Sequence, residues 1–233
     1  MKDGEELTRI SISQHTAHLT EPFTMIDLAT IDDLVLSAFL CEGMLPHHRH
    51  MDQDELFLVD SGTIILESEW GRVVLGSGEL AVVSKGVGHR SSSTQRSLVL
   101  LLQPRLMANR RNGDLRLFAL KDGGNLQKVS VPAMGAQIAV PFSPVVLADL
   151  DTYALHLVLC EGVGPWWQAD RQDNLVLCHG GALLLEVEGG GFPLEAGDLV
   201  VVPKGIAYRL SSDQQALAIG LQRHKQPGLP LPD

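Results

Sequence analysis

Four residues in the first half of the chain have the types and spacing of a metal site. His48 and His50 lie two residues apart in a segment expected to be extended, so both side chains point to one face while Arg49 points away. Glu55 begins the next predicted strand, and His89 follows a Gly-rich turn that can bring a distant strand alongside. Imidazole suits Zn, Cu, Fe and Ni, and a carboxylate extends the choice to Mn and Fe(II). Such a donor set leaves octahedral positions open for water, substrate or dioxygen.

These residues lie within an internal repeat that spans almost the whole chain. The segment 40–43 (Leu-Cys-Glu-Gly) recurs at 159–162, and 162 minus 43 gives an offset of 119 residues. The same offset relates Gly62 to Gly181 and Gly78 to Gly197 without a gap. The repeat predicts two copies of one module, at about 3–104 and 122–223. They belong to domains at 1–104 and 122–233 that are joined by a linker at 105–121.

The periodicity of both copies indicates strands. Short apolar runs at 34–40, 56–59, 63–66 and 98–102 are bounded by Gly, Pro, Ser or Asp, as is typical of β-strands. Many of these runs are apolar on both faces, which fits strands buried inside a barrel on one side and against the sister domain on the other. The sequence therefore predicts an all-β protein of two tandem barrels.

The spacing of the candidate ligands resembles that of the cupin superfamily, in a two-barrel (bicupin) form. The first cupin motif is matched by His48-x-His50, four residues, Glu55, six residues and Gly62, although the interval from Gly43 to His48 is one residue short. The second motif is matched at Gly78, Gly86 and His89, with serines at 84 and 93 in place of the usual Pro and Asn.

The resemblance implies two double-stranded β-helix (jelly-roll) barrels related by a pseudo-two-fold axis. It implies that His48, His50, Glu55 and His89 bind one divalent transition metal ion, which is Fe, Mn, Ni, Zn or Cu. His47 is expected to be solvated and to have no part in the site.

The second copy lacks all four ligands. At an offset of 119 residues their places are taken by Trp167, Ala169, Asn174 and Tyr208, none of which is a good ligand. We predict a degenerate barrel that binds no metal and is filled by its own side chains. The alternative, a second apolar ligand pocket formed by Trp166, Trp167 and Tyr208, stays open.

The metal site favours a small-molecule function. No separate Ser-His or Cys-His nucleophile is evident, so the metal would provide the chemistry of a dioxygenase or isomerase. A pocket lined by Phe39, Phe57 and Val59 would favour an apolar or aromatic substrate. A non-catalytic binding or sensing protein, and a structural bicupin akin to storage proteins, are the alternatives, and the intact ligand set weighs against the second of these.

Composition narrows the class of protein further. The net charge of −10 argues against general nucleic-acid binding. No apolar run reaches the roughly 18 residues of a membrane span, and the charged N-terminus has no signal-peptide pattern, so a cytoplasmic protein is expected. The cysteines at 41, 160 and 178 are predicted to be reduced core residues. Because two copies can pair within one chain, a monomer or a homodimer is expected.

Overall fold

Both copies form antiparallel β-sheets with one short helix each. The computed structural model describes residues 7–105 and 124–224. From residue 106 onward, the predicted linker lies outside the described residues. The elements of the first half are β1 (Ile10–Ser11), α1 (Ile12–Thr16), β2 (Met25–Ile31), β3 (Leu34–Met44), β4 (Glu55–Ser61), β5 (Thr63–Ser68), β6 (Gly71–Gly76), β7 (Glu79–Val83) and β8 (His89–Pro104). Those of the second are β9 (Val129–Ser130), α2 (Val131–Gly135), β10 (Val145–Leu150), β11 (Tyr153–Val163), β12 (Asn174–Gly180), β13 (Ala182–Val187), β14 (Gly190–Glu195), β15 (Asp198–Val202) and β16 (Tyr208–Arg223).

The two halves have the same topology. The first sheet runs β2-β3-β8-β4-β7-β9, with β5 paired to both β6 and β8. The second runs β10-β11-β16-β12-β15-β1, with β13 paired to both β14 and β16. From β3 and β11 onward, equivalent strands begin and end at positions separated by the 119-residue offset. The all-β prediction and the two-barrel prediction are confirmed.

The N-terminal strand of each copy pairs with the other copy's sheet. Ile10 of β1 lies opposite Leu199 of β15, and Val129 of β9 lies opposite Leu80 of β7. These pairings are equivalent at the 119-residue offset, so the exchange is reciprocal and follows the pseudo-two-fold axis. Each barrel therefore includes a strand that belongs, in sequence, to the other copy. A simple division of the chain into two copies does not predict this pairing.

The apolar residues of the strands separate into three clusters. Alternate residues of β4 show the principle: Leu56 and Leu58 pack in a cluster shared with residues of the second half such as Tyr153, whereas Phe57 and Val59 pack inside the first barrel. A third cluster fills part of the second barrel. The prediction of strands that are buried on both faces is confirmed, since one face meets the sister barrel and the other faces the lumen.

The cysteines are free thiols and all three are buried, as predicted. Burial raises the pKa of the Cys41 thiol to about 11 despite a hydrogen bond with Ser91 that lowers it, so the thiol is protonated at neutral pH. No helix in the described part of the chain is long and apolar enough to cross a bilayer.

Candidate metal centre

A backbone bridge holds two of the candidate ligands opposite each other. The amide of His48 donates to the carbonyl of His89 at 2.9 Å, and the amide of His89 donates back to the carbonyl of His48 at 2.8 Å. His50 is fixed similarly, since its carbonyl accepts from the amide of Gly86 at 2.6 Å. Gly86 has φ of +81°, a conformation that residues with a Cβ rarely adopt. This turn therefore places the start of β8 beside the segment that contains His48 and His50.

The four predicted side chains converge. Each of His48, His50, Glu55 and His89 offers one ligand atom, and these atoms all lie within 4.8 Å of one another. Oε1 of Glu55 is 3.2 Å from Nε2 of His50, and its Oε2 is 2.9 Å from Nε2 of His89. Ligands in adjacent octahedral positions, about 2.1 Å from an ion, lie roughly 3 Å apart, so these separations fit a shared ion.

Backbone carbonyls orient two of the imidazoles. Nδ1 of His48 is 2.9 Å from the carbonyl of Pro46, and Nδ1 of His89 is 3.1 Å from the carbonyl of Val87. A carbonyl oxygen can only accept, so each Nδ1 carries the hydrogen and donates it. In a metal-bound state, in which the rings would be neutral, their lone pairs would lie on Nε2, the atom available to a metal.

Burial and charge act in opposite directions on the carboxylate. Burial raises the pKa of Glu55, but the hydrogen bond from His89 and the proximity of His50, His89 and His48 outweigh it and lower the pKa below its ordinary value. Glu55 is therefore an anion at neutral pH, as a metal ligand must be. His50, Glu55 and His89 are buried, whereas His48 is partly exposed. The open side of the site is consequently the side of His48.

A pair of buried glutamines supports Glu55 from behind. Nε2 of Gln53 lies 3.4 Å from Oε1 of Glu55 and donates to Oε1 of Gln103 at 2.9 Å. Gln53 and Gln103 are 5 % and 3 % exposed. The spacing of the histidines does not reveal this support, although Gln103 has a counterpart in Gln222 at the 119-residue offset.

A buried arginine links the histidine segment to the turn before His89. Arg49 is 1 % exposed and points away from the ligands, as the alternation predicts. Its guanidinium donates to the carbonyl of Gly86 at 2.8 Å and forms an ion pair with Glu69. Glu69 in turn accepts from the amide of Gly88 at 3.1 Å. Arg49 is thus a positioning residue, which sequence reasoning missed because arginine is rarely buried. His47, by contrast, is exposed, in agreement with the prediction.

Comparisons with solved structures identify the architecture. In sequence, the chain matches no family model and no curated protein. In structure, it resembles a cupin 2 conserved barrel domain protein from Leptotrichia buccalis, with a TM-score of 0.67 and 11 % identity over 94 % of this chain and 97 % of that one. It also resembles salicylate 1,2-dioxygenase from Pseudoaminobacter salicylatoxidans with gentisate, with a TM-score of 0.70 and 12 % identity over 93 % and 80 % of the two chains.

A third neighbour is oxalate decarboxylase from Bacillus subtilis, which has Mn(II) centres. The TM-score is 0.62, at 12 % identity over 98 % of this chain and 80 % of that one. The chain has a bicupin fold. At these identities the likeness concerns the fold, and the chemistry of this bicupin has to be argued from its own residues.

The predicted apolar pocket residues belong to the packed interior of the first barrel. Phe39 and Phe57 are each 4 % exposed, and Val59 is fully buried. The ring of Phe57 meets the ring of His89 edge-on, with centroids 5.9 Å apart, and Phe39 packs against Phe23. These side chains form an apolar floor beneath the four donors.

The second barrel keeps the backbone of the site and changes its side chains. Trp167 and Tyr208 form the same two-bond bridge as His48 and His89, at 2.7 and 2.8 Å. Ala169 accepts from the amide of Gly205 at 2.8 Å, as His50 does from Gly86. The degenerate positions are therefore placed as the offset predicts.

The prediction that side chains fill the second barrel is wrong. A cavity of about 830 Å³ opens there, and Trp167, Ala169, Asn174 and Tyr208 all line it. Trp166 does not. It is 51 % exposed, with the guanidinium of Arg209 stacked 4.9 Å from its ring centroid.

The cavity arises from four large-to-small differences between the barrels. Four residues that line the cavity in the second barrel are smaller than the buried residues of the first barrel at the same strand positions, although Leu210 is larger than its counterpart Ser91. The pairs, first barrel then second, are Phe39 and Val158, Phe57 and Val176, Val99 and Ala218, and Leu101 and Gly220. Trp167 and Tyr208 add bulk only at one end of the lumen, so they do not compensate for this lost volume. These size differences are visible in the sequence when the two copies are compared at the 119-residue offset, but they occur at lumen positions other than those of the candidate ligands.

Proposed function

We propose that the first barrel binds one divalent transition metal ion through His48, His50, Glu55 and His89, and that this bicupin is a metal-dependent enzyme acting on a small molecule, as a dioxygenase or an isomerase. The observation that supports it best is the convergence of three imidazoles and one carboxylate within 4.8 Å, on a rigid backbone bridge. The structural likeness to salicylate 1,2-dioxygenase and oxalate decarboxylase favours the same class of chemistry.

The donor set fits such an ion. Neutral imidazoles with anchored Nδ1 atoms and one anionic carboxylate are what Fe, Mn, Ni, Zn and Cu accept. When bound, the ion would supply Lewis-acid or redox chemistry to an oxygen-bearing substrate. The protein's own residues would hold the donors in place through Arg49 and Gln53 and would exclude water beneath the site through the apolar floor of Phe39, Phe57 and Val59.

The substrate would approach from the side of His48. This imidazole is the partly exposed ligand, whereas the other three donors are buried. Exposed Met25 and Met51 occupy the positions of Pro144 and Asp170, which line the opening of the equivalent lumen in the second barrel. Flexible, polarizable methionines at such a mouth suit an apolar or aromatic molecule.

Metal analysis tests the proposal directly. We expect protein purified without added metal to contain one Fe, Mn, Ni, Zn or Cu ion per chain, and His50→Ala to reduce the content to less than a tenth of that value. His47→Ala is the matched control, since it removes an exposed neighbouring imidazole, and its metal content should be unchanged. Metal retained in His50→Ala would contradict the assignment of ligands.

Oxygen consumption against phenolic and diketone compounds then tests the enzymatic half of the proposal. Turnover by the wild type that is lost in His50→Ala supports a dioxygenase. One observation bears on the alternative of a non-catalytic binding or sensing protein: Phe39, Phe57 and Leu101 fill the lumen of the first barrel and are each 4 % exposed. A small molecule would then meet the donors only from the side of His48 and would not be enclosed by the lumen, as binding without catalysis permits. Full metal content with neither oxygen uptake nor isomerisation of any compound tested would favour that alternative.

A further inference from the structure

The second barrel contains a built cavity at the place where the first contains metal ligands. Its volume of about 830 Å³ falls within the range of about 300–1,000 Å³ that small-molecule sites occupy. The cavity lies within the barrel lumen and is framed by the same bridge and turn that frame the metal centre. We propose that it is a binding site for a neutral, planar aromatic molecule bearing a carbonyl oxygen.

Backbone constraints do not explain the small residues that create this space. A Cβ added to Gly220 would lie 3.5 Å from the nearest heavy atom, the carbonyl oxygen of Leu175, which is an ordinary contact. Gly220 also has no positive φ to require a glycine. Leucine at the equivalent position 101 shows that this fold accommodates a large side chain there. The small residues therefore leave a volume that the strand geometry does not demand.

Two aromatic rings line one end of the cavity, and a third packs against one of them. The centroids of Trp167 and Tyr208 are 5.8 Å apart, and that of Phe142 is 6.1 Å from Trp167. Val158, Val176 and Ala218 provide aliphatic walls beyond them. Rings that pack by offset stacking or edge-to-face contact favour a flat, unsaturated ligand over a flexible aliphatic one.

One buried donor points to an oxygen acceptor on that ligand. Asn174, at the position of Glu55, lines the cavity, and its Nδ2 atom is buried with no hydrogen-bond partner among the described residues. A buried amide donor without a partner destabilises a protein, so a ligand carbonyl that accepts from it would be favoured.

The charges near the cavity favour a neutral ligand. Burial lowers the pKa of His156 below its ordinary value, and the nearby His224 lowers it further, so His156 is neutral at pH 7. At the rim, Arg223 is paired with Asp33 at 2.8 Å, and Nε2 of His224 lies 3.2 Å from Asp149. Asp170 and Arg171, which also line the cavity, are exposed neighbours of opposite charge, so the rim has no excess of one sign that would draw an ion into the lumen.

Titration calorimetry with chromone, a neutral bicyclic carbonyl compound, tests the inference on the full-length protein. We expect one chromone per chain, with affinity at least tenfold weaker in Val176→Phe and in Gly220→Leu, which restore the first barrel's residues. Val74→Phe, the same substitution at an exposed valine of the first barrel, is the matched control and should bind as the wild type does. Thermal unfolding of each variant establishes that it is folded.

Two further measurements separate this site from the metal centre and test the donor. Removing metal with a chelator should leave chromone affinity unchanged, so failure of the proposed enzymatic function would not affect the result. Asn174→Ala should weaken chromone several-fold while leaving naphthalene, which has no acceptor, unaffected. The proposal is overturned if the wild type does not bind chromone up to its solubility limit, or if both cavity-filling variants bind it as well as the wild type.

Discussion

The two barrels share a backbone and differ in what their lumens contain. The bridge of His48 with His89 and the bridge of Trp167 with Tyr208 have the same two hydrogen bonds, all between 2.7 and 2.9 Å. The first lumen has four convergent donors above a packed apolar floor, whereas the second has an aromatic rim around a cavity. The same backbone pairing therefore accommodates either set of side chains, the four potential metal donors of the first barrel or the cavity-lining residues of the second.

The largest effect should come from exchanging the carboxylate. Glu55→Asn gives the first barrel the second barrel's residue, and we expect metal content to fall from one ion per chain to nearly none, because a neutral amide is a weak ligand and the charge that offsets the ion is lost. Metal content is measured by elemental analysis after gel filtration.

The reciprocal substitution tests whether the carboxylate alone distinguishes the two barrels. Asn174→Glu should not create a second metal site, because Trp167, Ala169 and Tyr208 still provide no suitable donors. A gain of metal in that variant, or a full complement of metal in Glu55→Asn, would show that the difference between the barrels lies elsewhere.

The next effect concerns the floor of the first lumen. Phe57→Val copies Val176 and should destabilise the protein by about 2–3 kcal/mol, because it leaves a cavity among residues that are now fully packed. Urea denaturation measures the loss. Val176→Phe, the reverse change, should cost far less because the space for the ring already exists. Equal losses in both variants would contradict the account of the cavity.

The fold and the convergence of the four candidate ligands could be predicted because both depend on local patterns. Each of these patterns involves residues that are close in sequence or separated by one constant offset. They are the gap-free repeat, the alternation within strands such as β4, and the spacing of His48, His50, Glu55 and His89. The pairing of β1 and β9 with the sheet of the other copy could not be predicted from such patterns. A symmetric repeat gives the N-terminal strand two equivalent partners, Leu80 or Leu199, and only the packing of the two barrels decides between them.

The residues that surround the site are positioned by contacts between segments far apart in sequence, and local sequence patterns do not predict such contacts. Arg49 is buried because Glu69 and the carbonyl of Gly86 meet it, 20 and 37 residues away in sequence. The cavity is not evident from Trp167 and Tyr208, which are larger than their counterparts, because the smaller residues that create it lie at other lumen positions. The empty volume of a barrel depends on the sizes of all the side chains that face its lumen. Two larger rings at one end therefore do not fill the space left by smaller residues at the other end.

A smaller effect is expected from the arginine that links the histidine segment to its turn. Arg49→Gln copies Gln168 of the second barrel and should lower metal affinity by about 10–100-fold, because residues that orient ligands have effects of this size. Competition with a chromophoric chelator measures the affinity. Arg90→Gln is the matched control, since Arg90 forms an ion pair with Glu67 at the surface, 2.6 Å away, and should retain full affinity. Unchanged affinity in Arg49→Gln would remove Arg49 from the positioning role.

The smallest effect concerns an ion pair between the two barrels. Nζ of Lys85 lies 2.7 Å from Asp151 of the second barrel, and this hydrogen bond, opposed by partial burial and supported by the charges of Asp151 and Asp54, raises the pKa of Lys85. A pKa that is higher in the folded state stabilises the fold below the unfolded value of about 10.4, and that contribution is lost as pH rises through the folded pKa. Since the side chain of Lys85 is 49 % exposed, we expect Lys85→Met to cost only about 0.5 kcal/mol.

Urea denaturation at two pH values checks this prediction. The difference in unfolding free energy between wild type and Lys85→Met should be present at pH 7–9 and should shrink above about pH 10.5, where the amine loses its charge. Lys204→Met is the control from the second barrel, because Lys204 occupies the equivalent position but forms no ion pair with any described residue. It should change the stability less than Lys85→Met at pH 8. Equal effects from both lysines would mean that the pair with Asp151 adds nothing, and that the barrels are joined by the apolar cluster and the exchanged strands alone.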